Sequence, residues 1–184
     1  MVSKFKKIFR LVKYRRPVFC EMGKGNKFSS NSVASAIATV GSWNYFGNNS
    51  MICNAKIGNY CSVAPNVLIG PAEHDYHKHS TSTFVSDAPI FSTPTEIGND
   101  VWIAGNVVIR QGVSIGNGVV IGANSFVKDD LPDYSIAVGS PAKVIGYRFD
   151  ETKRSLLDKS GWWHLKPEEA KAVLKNIEIA RLDK

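Results

Sequence analysis

The sequence predicts a mainly β chain, a left-handed parallel β-helix of hexapeptide repeats with an excursion loop and a C-terminal helical tail. Three observations carry that expectation: an aliphatic residue returns every six positions, one long segment breaks the period, and the residues after Asp150 change to helical patterning.

The period is clearest from Ile97, where Ile103, Ile109, Ile115, Ile121 and Val127 follow in strict register. A small or aliphatic residue fills each fifth place: Val107, Val113, Val119 and Ser125. The same spacing runs through Ile57, Val63 and Ile69, with Ala55, Cys61 and Val67 at the fifth places. Upstream it extends, more weakly, to Val33, Thr39, Tyr45 and Met51. Neither a helical period near 3.6 nor a strand period of two produces this pattern, whereas short strands on the flat faces of a stacked prism do. Three hexapeptides complete one triangular turn, so the first residue of each points inward and stacks on its equivalent in the next coil. Gly58, Gly98, Gly116 and Gly122, with Asn59, Asn99, Asn117 and Asn124, fall at the corners, where tight turns favour residues tolerant of positive φ.

Between Ile69 and Ile97 the period fails for 28 positions, so this stretch must leave the prism as a loop, and loops of such length are usually functional. In the tail, helical character lies around Lys153 to Leu157 and from Pro167 to Leu182, with Pro167, Glu168 and Glu169 marking a helix start. The expected organisation is a basic N-terminal segment over 1–32, the β-helix over 33–146 with its loop at 70–96, and the helical tail over 147–184.

The formal charge is +7, and seven basic residues lie among the first sixteen, so the remainder is nearly neutral. That distribution argues against nucleic acid as a partner. Phe5, Ile8, Phe9, Leu11 and Val12 recur there at roughly helical spacing, which suits an amphipathic helix against anionic lipid or, more simply, against a neighbouring subunit. No apolar span reaches bilayer length, and no secretory leader pattern opens the chain. Three cysteines, Cys20, Cys53 and Cys61, show no metal-ligand spacing and read as packing thiols in a reducing compartment. A cytoplasmic location is expected, peripheral at the inner membrane if the basic segment touches lipid.

The strings IGNYCSVAPNVLIG and IGNDVWIAGNVVIRQGVSIGNGVVIGANSFVKDDLPDYSIAVGSPAKVI, followed by YRFDE and the pair Trp162–Trp163, resemble the hexapeptide-repeat acetyltransferases. The double Trp is similar to the branch that holds xenobiotic acetyltransferases and enzymes acetylating bacterial surface sugars. The resemblance covers roughly residues 33 to 165. It implies an acetyl-CoA-dependent enzyme without a metal, and a homotrimer whose active sites lie between neighbouring prisms.

Transfer from a thioester to a hydroxyl needs a base, and imidazole titrates near neutrality. The loop holds His74, His77 and His79. His74 alone meets the family's loop pattern, a few residues past the APNVLIG coil and about six before Ser80–Thr81, and is the expected general base. The resemblance further assigns Trp102, Gly105 and Ala123 to the pantetheine arm, and Lys143 to a CoA phosphate. Lys128 is a second phosphate candidate, displaced one place from the family's Val-x-Lys-Asp because this chain reads Val127-Lys128-Asp129-Asp130; Arg148 is the residue that could compensate. Asn44 matches an acceptor-contacting Asn of sugar-acetylating relatives, with an ordinary turn Asn as the simpler reading. Glu73, Asp75 and Tyr76 flank the base, where they could orient it or the acceptor.

The expected acceptor is a bacterial surface polysaccharide or its sugar precursor. A streptogramin- or chloramphenicol-type antibiotic, and then a sugar-nucleotide amine, are the alternatives. Two remote readings keep the fold: a zinc carbonic anhydrase, suggested by three loop histidines but disfavoured because such ligands come from separate coils, and a non-catalytic scaffold.

Overall fold

The computed structural model describes residues 20–85 and 90–179. The basic stretch of the first sixteen residues, and with it the expected lipid-facing helix, lies outside the described residues.

The chain winds into a parallel β-solenoid with three flat faces. The first face stacks Glu21–Met22, Thr39–Val40, Ala55–Ile57, Thr95–Ile97 and Ser114–Ile115. The second stacks Lys27–Phe28, Tyr45–Phe46, Ser62–Val63, Trp102–Ile103, Val120–Ile121 and Ser135–Gly139, closed by an antiparallel return strand Ala142–Tyr147. The third stacks Val33–Ala34, Met51–Ile52, Leu68–Ile69, Val108–Ile109 and Phe126–Val127. The first coil therefore begins at Glu21, upstream of the boundary expected at residue 33.

Most two-residue strands contribute one inward residue to the core, and Ala55–Ile57 and Thr95–Ile97 contribute two each. Phe46, Ile52, Ile69, Ile103, Ile109 and Ile121 are fully buried, with Val107 and Val119 at the corners between them. The upstream register differs from the expected one: Val33, Thr39, Tyr45 and Met51 face outward, while Ala34, Val40, Phe46 and Ile52 are buried. The cause is one short coil. Ile97 pairs with Ile115, eighteen positions on, but Val40 pairs with Ile57, only seventeen on. A one-residue offset exchanges inside for outside, so counting back in sixes from Ile57 selects the wrong side of every earlier strand.

The corners also differ in detail. Asn124 does adopt positive φ, but at the corner between the first and second faces that conformation falls on Tyr60, Asp100 and Gly118, the residues after Asn59, Asn99 and Asn117, and also on Trp43 and Tyr134. Asn59, Asn99 and Asn117 act through their side chains: each Oδ1 accepts the backbone N–H of the coil before it, at 2.6, 2.8 and 2.8 Å. Gly58 and Gly98 are required by proximity, since a Cβ on Gly58 would sit 2.6 Å from the Gly98 carbonyl oxygen.

The tail forms α1 (Glu151–Ser160) and α2 (Pro167–Ile179). Asp150 caps α1 by accepting the Lys153 N–H at 2.8 Å. Leu157, Trp162, Trp163 and Ala170 bury themselves on Tyr134 and Tyr60, whose hydroxyls donate to Asp158 and to the Leu165 carbonyl at 2.8 and 2.7 Å. The double Trp thus anchors the tail to the prism. Among the described residues no helix is long and apolar enough to cross a membrane.

Candidate active site

The excursion leaves the prism where the third face turns into the first, after Ile69, and returns at Thr95. Inside it Glu73–His74 pairs antiparallel with Ile90–Phe91. Successive side chains of a strand point to opposite sides. Glu73 accordingly turns back to the prism, where its carboxylate accepts from Arg110 Nε and Nη2, both at 2.7 Å. That pairing holds the Glu73 carboxyl below the ordinary carboxylate range.

His74 is exposed on the other side, and its Nδ1 lies 2.6 Å from the Thr81 carbonyl oxygen. A carbonyl only accepts, so the proton is assigned to Nδ1 and the lone pair to Nε2, which is the form a general base requires. His77 and His79 are exposed, and the His77 N–H donates to Asp75 Oδ1 at 3.0 Å. Among the described residues no three His, Cys, Asp or Glu side chains gather as a metal site.

The residues expected to hold the donor lie elsewhere on the prism. Trp102 stands half exposed on the second face. Gly105 and Ala123 occupy one column, a coil apart, at the corner between the second and third faces. A Cβ on Gly105 would meet only the Pro65 carbonyl, at 3.7 Å, so the backbone here is open to a thin ligand. Lys128 and Lys143 converge on Asp129, which accepts from Lys128 Nζ at 3.1 Å and pairs with Lys143 Nζ at 3.8 Å. Lys128 is about half exposed and Lys143 largely exposed.

Two expected residues are committed to structure. Asn44 is 1% exposed; its Nδ2 donates to Asn26 Oδ1 and the Gly58 carbonyl, and its Oδ1 accepts the Cys61 N–H at 2.6 Å. With every polar atom satisfied inside the coil, it cannot reach an acceptor, and its expected substrate contact is corrected to a corner role. Arg148 spans Asp100 at 2.9 Å and the Gly118 carbonyl at 2.9 Å, so it does not replace a phosphate-binding lysine. Burial pushes the Asp100 carboxyl up despite that partner.

Within one chain, then, the loop base and the open Gly105–Ala123 column border opposite edges of the third face and are not brought together. That face carries an outward row of Val33, Met51, Leu68, Val108 and Phe126 in unbroken register. The first face presents Glu21, Thr39, Lys56, Glu96 and Ser114 instead. Sequence reading missed Arg110 and the bridging role of Asp129. The signal for Arg110 is positional, because Ile109 pairs with Ile69 and Arg110 therefore lies one coil beyond the loop's exit.

Comparison with known proteins agrees with this architecture. The family model described as bacterial transferase hexapeptide (six repeats) matches residues 94–129. A probable macrolide acetyltransferase of Lysinibacillus sphaericus is 38% identical over 138 residues, covering 67% of this chain and 74% of the relative. A chloramphenicol acetyltransferase of Klebsiella aerogenes is 36% identical over 132 residues, covering 64% of this chain. A putative lipopolysaccharide biosynthesis O-acetyl transferase of Escherichia coli K12 is 36% identical over 105 residues, 54% of each chain. The chain spans 63% of the length of the chloramphenicol acetyltransferase, less than two thirds. With its six-residue period, its stacked prism and these relatives, the chain belongs to the hexapeptide-repeat transferase family.

Proposed function

We propose that the protein is an acetyl-CoA-dependent acetyltransferase that O-acetylates a bacterial surface polysaccharide or its sugar precursor, with His74 as the general base. The observation that carries this reading is the Nδ1 contact to the Thr81 carbonyl, which leaves Nε2 as an exposed acceptor of a proton. In a ternary complex Nε2 removes the acceptor hydroxyl proton as that oxygen attacks the thioester carbonyl. When the tetrahedral intermediate collapses, the C–S bond breaks and the imidazolium returns the proton to the CoA sulfur. Backbone N–H groups at the Gly105 corner steady the oxyanion, and Lys128 with Lys143 hold the phosphates. None of the three thiols lies in the loop, and burial pushes the Cys61 thiol up to about 12, which argues against a covalent acyl-thiol route.

The apolar row on the third face supports assembly through that face. Packing it against a second copy would bring the His74 loop of one subunit beside the Gly105–Ala123 column of the next, and three such contacts close a homotrimer. The lipopolysaccharide-type relative supports the glycan acceptor. The chloramphenicol and macrolide relatives, matched over more of this chain, favour a second reading in which the acceptor is an antibiotic hydroxyl. A panel of surface glycans, simple sugars, chloramphenicol and a macrolide, assayed by CoA release with His74→Ala alongside, separates the two. Turnover with a glycan alone supports the first reading; turnover with an antibiotic alone replaces it with the second.

A further inference from the structure

Among the described residues, the segment carrying His74 is held by few contacts of its own. Its strand pairing is two residues long. The returning limb is tied down by Asn54, whose Nδ2 donates to the Ser92 carbonyl at 2.9 Å, and by Gln111, whose Oε1 accepts the Thr93 N–H at 2.6 Å. On the outgoing limb, Arg110 donates a two-pronged bond to the Glu73 carboxylate, which Gln111 also bonds, and this makes the link to the prism. Arg110 is a fixed anchor. Its N–H donates to the Val127 carbonyl at 2.9 Å, and its own carbonyl accepts from the hydroxyl of Thr95, which is fully buried.

We propose that Glu73 and Arg110 form a positioning clamp that sets the height and rotation of the Glu73–His74 strand, so that His74 presents Nε2 to the acceptor. This rests on the reading of His74 as the base. Fork-to-fork pairing of a guanidinium with a carboxylate fixes orientation as well as distance. Because Glu73 and His74 are adjacent on a strand, docking one side chain against the prism turns the other away from it. The pair is partly exposed, with side chains 31% and 47% accessible. Such pairs add little to global stability. Their contribution here is geometric, and a misplacement of about 1 Å can cost on the order of a hundredfold in rate.

The test uses the full chain with Glu73→Gln, Arg110→Gln, the double variant and Arg110→Lys. Three readouts are taken: steady-state kinetics with the best acceptor of the panel, hydrogen exchange across residues 71–81, and the ¹⁵N spectrum of the His74 ring. The expected result is a fall in kcat of about ten- to a hundredfold for each Gln variant. KM for acetyl-CoA and Tm stay near the parent values, exchange in 71–81 accelerates, and the Nδ1–H bias weakens. The double variant is no worse than either single one, because both remove the same contact, and Arg110→Lys retains an intermediate rate. The proposal is overturned if Glu73→Gln leaves kcat, exchange and tautomer unchanged, if the two effects multiply, or if protection is lost across the whole prism. A His74→Ala variant as active as the parent would reject the base assignment instead, while exchange and Tm would still decide whether the pair holds the loop.

Discussion

Gly58 and Gly146 are both glycines near the β-helix surface, yet their surroundings make opposite demands. A Cβ at Gly58 would press on the backbone of the next coil at 2.6 Å, whereas one at Gly146 meets nothing within 4 Å. Gly58→Ala is therefore expected to cost about 1–3 kcal/mol as an overpacked site, with Gly146→Ala close to neutral in the same urea titration. Cys61 offers a second residue-level test. Its buried thiol titrates up to about 12 in the folded chain, above its ordinary value. The folded state thus holds that proton more tightly, so the contribution to stability is complete below the ordinary thiol pKa and is lost as pH rises toward about 12. At pH 8 the native protein should leave Cys61 unmodified by a thiol reagent, and unfolding should expose it. At this scale the sequence was legible where residue type alone decides, as with the aliphatic ladder from Ile57 onward. It misled where function depends on which atom is used: Asn59 and Asn99 look like turn formers but work as side-chain acceptors, and Asn44 looks like an acceptor contact but is sealed in the coil.

At the scale of elements, the loop and the tail are attached by different means. The tail buries Leu157, Trp162 and Trp163 on the prism. Among the described residues, the outgoing limb of the loop is held through the Glu73 carboxylate, which Arg110 pairs and Gln111 also bonds. Glu73 has its pKa lowered by Arg110, so the clamp is complete above the ordinary carboxylate value and is lost as pH falls through the lowered one. Acidification should accordingly raise exchange in 71–81 before the coils open, measured by hydrogen exchange against pH. Asp150→Ala, which removes the cap of α1, should cost about 0.5–2 kcal/mol in thermal or urea unfolding without altering the loop. The excursion's limits were readable from the broken period, because a segment without inward aliphatics cannot stack. Its internal pairing and its anchor at Arg110 were not, since both join residues far apart in sequence, and the seventeen-residue coil hid the true inward side of the first strands.

At the scale of the whole molecule, the third face lies beside the loop that carries His74. An apolar row is bordered on one edge by the His74 loop and on the other by the open Gly105 column, and the proposed trimer would use a neighbour to complete the site. Met51→Glu together with Phe126→Glu should convert a trimer to monomers in analytical ultracentrifugation and abolish turnover while the fold persists by circular dichroism. A trimer that survives both changes places the interface elsewhere. The measurement that bears most directly on the central claim is CoA release from acetyl-CoA, followed for the parent and His74→Ala with the acceptor panel. The account predicts turnover with one hydroxyl acceptor class and a loss of about a hundredfold or more on removing the imidazole. Equal rates for parent and variant, or no binding of acetyl-CoA at all, would contradict it.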